Sequence, residues 1–211
     1  LKPAPEREVW GVVLAAGFSR RCPPGKLLLP WGASSVVGTV AAHLLSAGLG
    51  RVLVVVGHEA ESVKRALAGL PLEIVPNPAY REGMGTSVAA SLDRCLNDPG
   101  FPSEAGMLLL PADTPFIGVA VLSAAAAAYR EGRGDIVAAS HAFRRGHPVV
   151  FSRRFAAELR KACLEGEGAR QVVRAHPEAV FHLDAGPEVL EDIDTMEDYG
   201  RLRGLYDKGE A

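Results

Sequence analysis

VWGVVLAAG, residues 9–17, is an unbroken apolar run that stops abruptly on a glycine. A strand with one wet face would alternate apolar and polar residues; this one does not, so both of its faces must be covered. The pattern recurs at RVLVVV (51–56), LEIV (72–75), GMLLLP (106–111), DIVAAS (135–140), PVVF (148–151) and AVFHL (179–183). Between these runs, segments 35–48, 59–70, 86–96, 119–132 and 152–166 place apolar residues at helical spacing. Strands buried on both faces and alternating with crossover helices predict a three-layer α/β/α sandwich around a mostly parallel sheet. Ligands of such sheets bind at the carboxyl ends of the strands, so the residues just after each strand are the informative ones.

The rest of the chain sets bounds on that reading. With 211 residues, 48% of them hydrophobic, there is material for one substantial core, and a single domain over 1–211 with its core at about 9–205 is expected. Lysine and arginine number 23 against 25 acidic residues, a net charge of −2, which supplies no global field for nucleic acid or an anionic membrane. Any anion site must be local. Cys22, Cys95 and Cys163 are an odd number without a CxxC pair, so neither a disulfide framework nor a zinc knuckle is indicated. The charged, proline-bearing start LKPAPEREVW and the lack of a long apolar run lead to the expectation of a soluble, cytoplasmic protein.

The loop after the first strand, LAAGFSRRCPPGK (14–26), gathers Gly17, Ser19, Arg20, Arg21 and Lys26. Gly17 allows a tight or positive-φ exit from the strand, and exposed amides there suit a polyanion. Arg21 can fork onto phosphate oxygens and Lys26 can place a point charge on them. The loop is not a Walker A motif, because that spacing would require glycine at Arg20 and a hydroxyl at Leu27. A plain solvated surface loop is the competing reading. LLLPADTPF (108–116) holds Asp113 rigidly between two prolines past a buried strand, either as a hard-oxygen ligand for Mg2+ or as a cap for the next turn. GMGTS (83–87) opens a helix but fails as GxGxxG at Val88, which argues against a dinucleotide site. His147 stands alone in RRGHPVVF (144–151), with no zinc-ligand spacing around it. In EDIDTMEDY (191–199), capping of the last helix is the ordinary explanation of Asp194, and Thr195 with Asp198 forms a capping-box pattern.

LAAG with Ser19, Arg21 and Lys26 resembles the LAAGxSxRxGxxK signature of the nucleotidyltransferase family that includes the molybdenum-cofactor cytidylyl- and guanylyltransferases. Pro23 stands where the signature has glycine, and Cys22 where methionine is common. LPADTPF is similar to that family's DxP metal motif. NPAYREGMGTS (77–87), GHP (146–148) and EGEGAR (165–170) are similar to stretches of its cytidylyltransferase-like subgroup. EDIDTMEDY matches its last acidic segment, with Met196 in place of proline. These motifs run in order from Val12 to Tyr199.

The resemblance implies a nucleotide-diphospho-sugar-transferase (GT-A, Rossmann-like) fold and a Mg2+-dependent transfer of a nucleotide from an NTP to a phosphorylated acceptor, with pyrophosphate released. It implies nucleotide contacts from Leu14, Ala15, Ala16, Gly17, Ser19, Arg21, Lys26, Asn77, Gly83, Gly85 and Ser87, with Arg21, Lys26 and Asp113 catalytic. Asp113 and Asp194 would hold the metal, and His147 and Arg170 would face the acceptor. Ala16, in LAAG rather than LAGG, points to CTP over GTP, and the subgroup motifs point to molybdopterin as acceptor, with a molybdoenzyme or its maturation factor as protein partner. A sugar-phosphate or other small-phosphate acceptor is the alternative within the class. A non-catalytic chaperone that carries a nucleotide-linked cofactor is the alternative outside it.

Overall fold

The computed structural model describes residues 7–17 and 25–207. Seven strands form one sheet: β1 (Val9–Ala15), β4 (Val52–Val56), β5 (Glu73–Pro76), β6 (Gly106–Pro111), β7 (Ile136–His141), β8 (Arg144–Ser152) and β9 (Val180–Asp184). Their spatial order is β5-β4-β1-β6-β8-β7-β9, and β2 (Pro30–Trp31) with β3 (Ser34–Ser35) makes a separate small hairpin. The described residues also form seven α-helices, besides short 3-10 turns: α1 (Val36–Ser46), α2 (Ala60–Ala66), α3 (Met84–Leu96), α4 (Val119–Arg130), α5 (Ala156–Leu164), α6 (Ala169–Ala175) and α7 (Met196–Asp207). This is the expected α/β/α sandwich.

The sheet is double-faced because its central strands alternate between two apolar partners. Val52, Val54 and Val56 pack under α1, α2 and α4, whereas Leu53 and Val55 pack under α3, α5 and α6. Val13 and Trp10 of β1, and Leu108 and Leu109 of β6, divide in the same way. That arrangement explains why these strands read as continuous apolar runs.

One strand departs from the parallel order. β8 runs antiparallel to both β6 and β7, with Leu109 opposite Val149 and His141 opposite Arg144. It is joined to β7 by the two residues Ala142 and Phe143, both at positive φ (48° and 63°), the conformation of the two-residue turn that matches strand twist. The usual Asn-Gly signal is absent there. Residues 144–147, which the periodicity leaves out of the strand, are part of β8, and Arg170 lies in the first turn of α6, a helix that the periodicity does not mark.

Reversal of β8 has a functional consequence. His147 lies two residues before Val149, so it falls beside the carboxyl end of β6 with the residues that follow β1 and β6. A third small core, of Trp31, Val36, Ile193 and Leu202 with Phe116 and Tyr199 against it, docks α7 and the preceding acidic segment at this same edge.

Candidate active site

β1 and β6 are adjacent and parallel, with Leu14 opposite Pro111. Their exits therefore stay together: the Ala112 amide donates to the Leu14 carbonyl at 3.2 Å. Gly17 and Asp113 emerge side by side as a result. Gly17 is not among the positive-φ glycines, contrary to one reading of the sequence. Among the described residues nothing lies within 4 Å of a Cβ added at Gly17, which lines the cleft.

Lys26 reaches the same place from a 3-10 turn over Lys26–Leu28. Gly25 starts that turn at φ 92°, a conformation open to glycine at little cost. Leu27 and Leu28 then anchor the turn on the core, which aims the lysine stem at the end of β6. The Lys26 ammonium donates to Asp113 Oδ2 at 2.7 Å and to the Ile193 carbonyl at 2.8 Å, and stands 3.8 Å from Asp194 Oδ1. The Ile193 amide in turn donates to the Asp113 carbonyl at 3.0 Å. Backbone and side chain together stitch the loop after β6 to the segment before α7.

The capping reading of Asp194 is replaced by a better candidate. Thr195 and Asp198 cap α7 reciprocally: the Thr195 amide donates to Asp198 Oδ2 at 2.9 Å, and the Asp198 amide donates to Thr195 Oγ1 at 3.1 Å. Asp194 is thus left outside the cap, turned towards Lys26. At the other carboxylate, Thr114 closes the turn by donating to the Pro111 carbonyl at 2.8 Å, while Asp113 takes Lys26.

The cleft over this edge encloses about 390 Å³. Leu14, Ala16, Gly17, Lys26, Gly83, Ser87, Asp113 and Asp194, all singled out from the sequence, line it together. Tyr80, Arg81 and Met84 line it as well and were not singled out, although they lie within the quoted NPAYREGMGTS stretch. Three expected nucleotide contacts are placed elsewhere. Ala15 is buried on the α1 side of the sheet. Asn77 is buried, its amide donating to Thr86 and Ser87 and its oxygen accepting from the Ala79 amide, so it braces the start of α3 instead of lining the cleft. Gly85 lies against α5, where a Cβ would sit 1.9 Å from the Cys163 carbonyl oxygen. Ser19 and Arg21, with Pro23, lie outside the described residues.

A second cleft of about 570 Å³ adjoins the first. His147 and Arg170 both line it, with Arg144, Arg145, Arg174 and the fully exposed Phe143. None of these four arginines forms an ion pair with another described residue. Arg174 could have been found from Arg170, because four residues on a helix bring side chains to one face. Burial holds the His147 imidazole down at about 4, against the Asp113 charge, which raises it; Arg170 lowers it further. His147 is therefore neutral at physiological pH, and its Nδ1 is buried without a partner among the described residues. In the wall of the second cleft, burial raises the Asp192 carboxyl, helped by the Asp113 and Asp194 charges and opposed by Lys26.

The donor set fits a divalent cation of the Mg2+ kind. Two carboxylates converge on one cationic group, the Lys26 ammonium, which marks the position as one that holds positive charge. Among the described residues no cluster of three or more His, Cys, Asp or Glu side chains forms a self-sufficient metal site. Mg2+ characteristically takes one or two carboxylates and completes its shell with phosphate oxygens and water.

A family model described as a MobA-like NTP transferase domain matches residues 11–180. The chain belongs to the MobA-like NTP transferase family. Nicotine blue oxidoreductase of Paenarthrobacter nicotinovorans is 31% identical over 201 residues, covering 92% of this chain and 96% of that one. Molybdenum cofactor cytidylyltransferase of Escherichia coli (strain K12) is 24% identical over 202 residues, covering 92% and 95%. Among solved structures, Rv0371c of Mycobacterium tuberculosis superposes with a TM-score of 0.79 at 28% identity, covering 94% of this chain and 99% of that one. A manganese complex of the same protein matches with a TM-score of 0.70 at 27% identity, covering 93% and 98%. The MobA-like match runs through β1, Lys26, Asp113 and His147 and into β9, so both clefts fall largely within it.

Proposed function

We propose that this MobA-like protein is a Mg2+-dependent cytidylyltransferase that moves CMP from CTP to the phosphate of molybdopterin or its molybdenum-loaded form. In the reaction, an acceptor phosphate oxygen bonds to the α-phosphorus while the bond to the β-phosphate oxygen breaks. Pyrophosphate leaves with that electron pair. The observation that carries this reading is the meeting of Gly17, Lys26, Asp113 and Asp194 in one cleft, next to an arginine-lined cleft that contains His147.

Such a transfer asks the protein mainly to align two anions and neutralise charge. Gly17 leaves space for phosphates to approach the backbone, and Lys26 supplies a cation at the leaving pyrophosphate. Asp113 and Asp194 would hold the metal, which when bound offsets the charge on the phosphate oxygens. Arg170 and the neighbouring arginines would fork onto the acceptor phosphate, and neutral His147 adds a hydrogen-bonding edge without adding charge. Ala16, buried in the cleft wall, is the residue on which the preference for cytosine rests. The Escherichia coli relative carries the cytidylyltransferase name, and the Mycobacterium tuberculosis relative was solved with manganese.

The test is pyrophosphate release from each of the four common NTPs with Mg2+, in the presence of molybdopterin. Release with CTP that requires the acceptor is the expected result. No release with any NTP removes the proposal, and release with a sugar phosphate in place of molybdopterin moves the acceptor to the alternative class. The 31% identity to nicotine blue oxidoreductase favours a second reading, an oxidoreductase acting on nicotine blue. Bleaching of nicotine blue by the purified protein with a reduced nicotinamide donor would select it.

A further inference from the structure

The Lys26 ammonium lies between Asp113 and Asp194, the two carboxylates that would hold a divalent ion, and it is held there on three sides. Its side chain is 13% exposed, against 21% for Asp113 and 41% for Asp194. The contacts at 2.7 Å and 2.8 Å are charge-assisted hydrogen bonds of ordinary length. A Mg2+ ion bound to the same carboxylates needs oxygens at about 2.0–2.1 Å and tolerates little distortion. Ammonium and dication cannot share that space without strong repulsion at close range.

The lysine has a fixed backbone and a flexible stem. Leu27 and Leu28 fix its backbone on the core, while four methylenes let the ammonium move through the cleft that Lys26 and Gly17 line together. A polyphosphate lying along Gly17 offers the ammonium new anionic partners. A bare metal ion offers it none.

We propose that Lys26 is the counter-ion of the Asp113–Asp194 pair in the nucleotide-free protein, so that divalent metal enters tightly only with a triphosphate that draws Lys26 away. Metal and nucleotide affinities are then positively coupled, each raising the other by the same factor. Lys26 acts on the metal as a positioning residue, through occupancy of its site. The proposal rests on the assignment of Asp113 and Asp194 as metal ligands.

The test is Mn2+ binding by paramagnetic resonance and calorimetry, on the full chain without nucleotide. Wild type is expected to bind Mn2+ weakly, and Lys26→Met to bind it about tenfold more tightly or better, since the ion no longer meets an adjacent positive charge. The gain should vanish in Lys26→Met combined with Asp113→Asn, which locates it at this site. Wild type given an α,β-methylene analogue of CTP should bind Mn2+ with the tighter affinity. If Lys26→Met does not fold, Lys26→Gln removes the charge while keeping a hydrogen-bonding end. Equal Mn2+ affinities for wild type and the folded Lys26 variant, or a gain that survives Asp113→Asn, overturns the proposal. Failure of the transferase reading is separable, because it appears as absent pyrophosphate release while the Mn2+ difference persists.

Discussion

Asp113 carries the sharpest prediction at the scale of single residues. Asp113→Asn removes a carboxylate charge at the point where Lys26, Ile193 and Asp194 meet, and should lower pyrophosphate release by about a hundredfold or more while the chain stays folded. Steady-state kinetics beside a thermal melt would check both halves. His147 makes a prediction about acid. Its pKa is about 4 folded and 6.5 in a free chain, so below pH 6.5 the unfolded chain takes a proton that the folded protein refuses. The stability tied to His147 is complete above about 6.5 and falls as pH drops towards 4. His147→Gln should remove up to about 3 kcal/mol of that acid dependence, read from urea unfolding at pH 7 and pH 4.5. The roles of neither residue could be resolved from its neighbours in sequence. Asp113 reads equally as a turn cap until Lys26, 87 positions away, is seen to bind it. His147 reads as structural until the reversal of β8 sets it beside Asp113.

Two elements hold the site in place, and each can be weakened alone. α3 packs on α5 through Gly85, and a Cβ added there would strike the Cys163 carbonyl oxygen. Gly85→Ala should cost about 1–3 kcal/mol of stability in chemical denaturation, through separation of the helices. α7 begins at the Thr195–Asp198 capping box, whose loss in Thr195→Ala should cost about 1 kcal/mol and loosen the segment that carries Ile193 and Asp194. That capping box was legible because its spacing is local. The β7–β8 hairpin was not, because Ala142 and Phe143 replace the residues that normally mark a positive-φ turn. An apolar run such as PVVF states that a strand is buried and says nothing of its direction.

Across the whole molecule, the core under α3, α5 and α6 makes the described thiols reporters of opening on that face of the sheet. Cys95 and Cys163 are buried, and that burial raises their pKa values to about 12 and about 11. In a Cys22→Ser background, both should react with a thiol reagent at neutral pH only as fast as the core of α3, α5 and α6 opens, so that labelling rates follow unfolding stability. Rapid labelling of the native protein would contradict that packing. The layered architecture, most strand and helix positions and the residues that follow β1 and β6 were determined by sequence alone, because hydrophobic periodicity and turn chemistry are local. Asn77 and Gly85, by contrast, lie in the quoted motif but are taken up by packing, Asn77 bracing the start of α3 and Gly85 letting α3 approach α5, since a motif does not specify what each of its residues touches. The direction of β8, the joining of Arg144, Arg145, Arg170 and Arg174 in one cleft, and the seating of Lys26 between Asp113 and Asp194 were decided only by tertiary structure. Each depends on contacts between segments far apart in the chain, which form when the sheet closes and leave no periodic trace in the sequence.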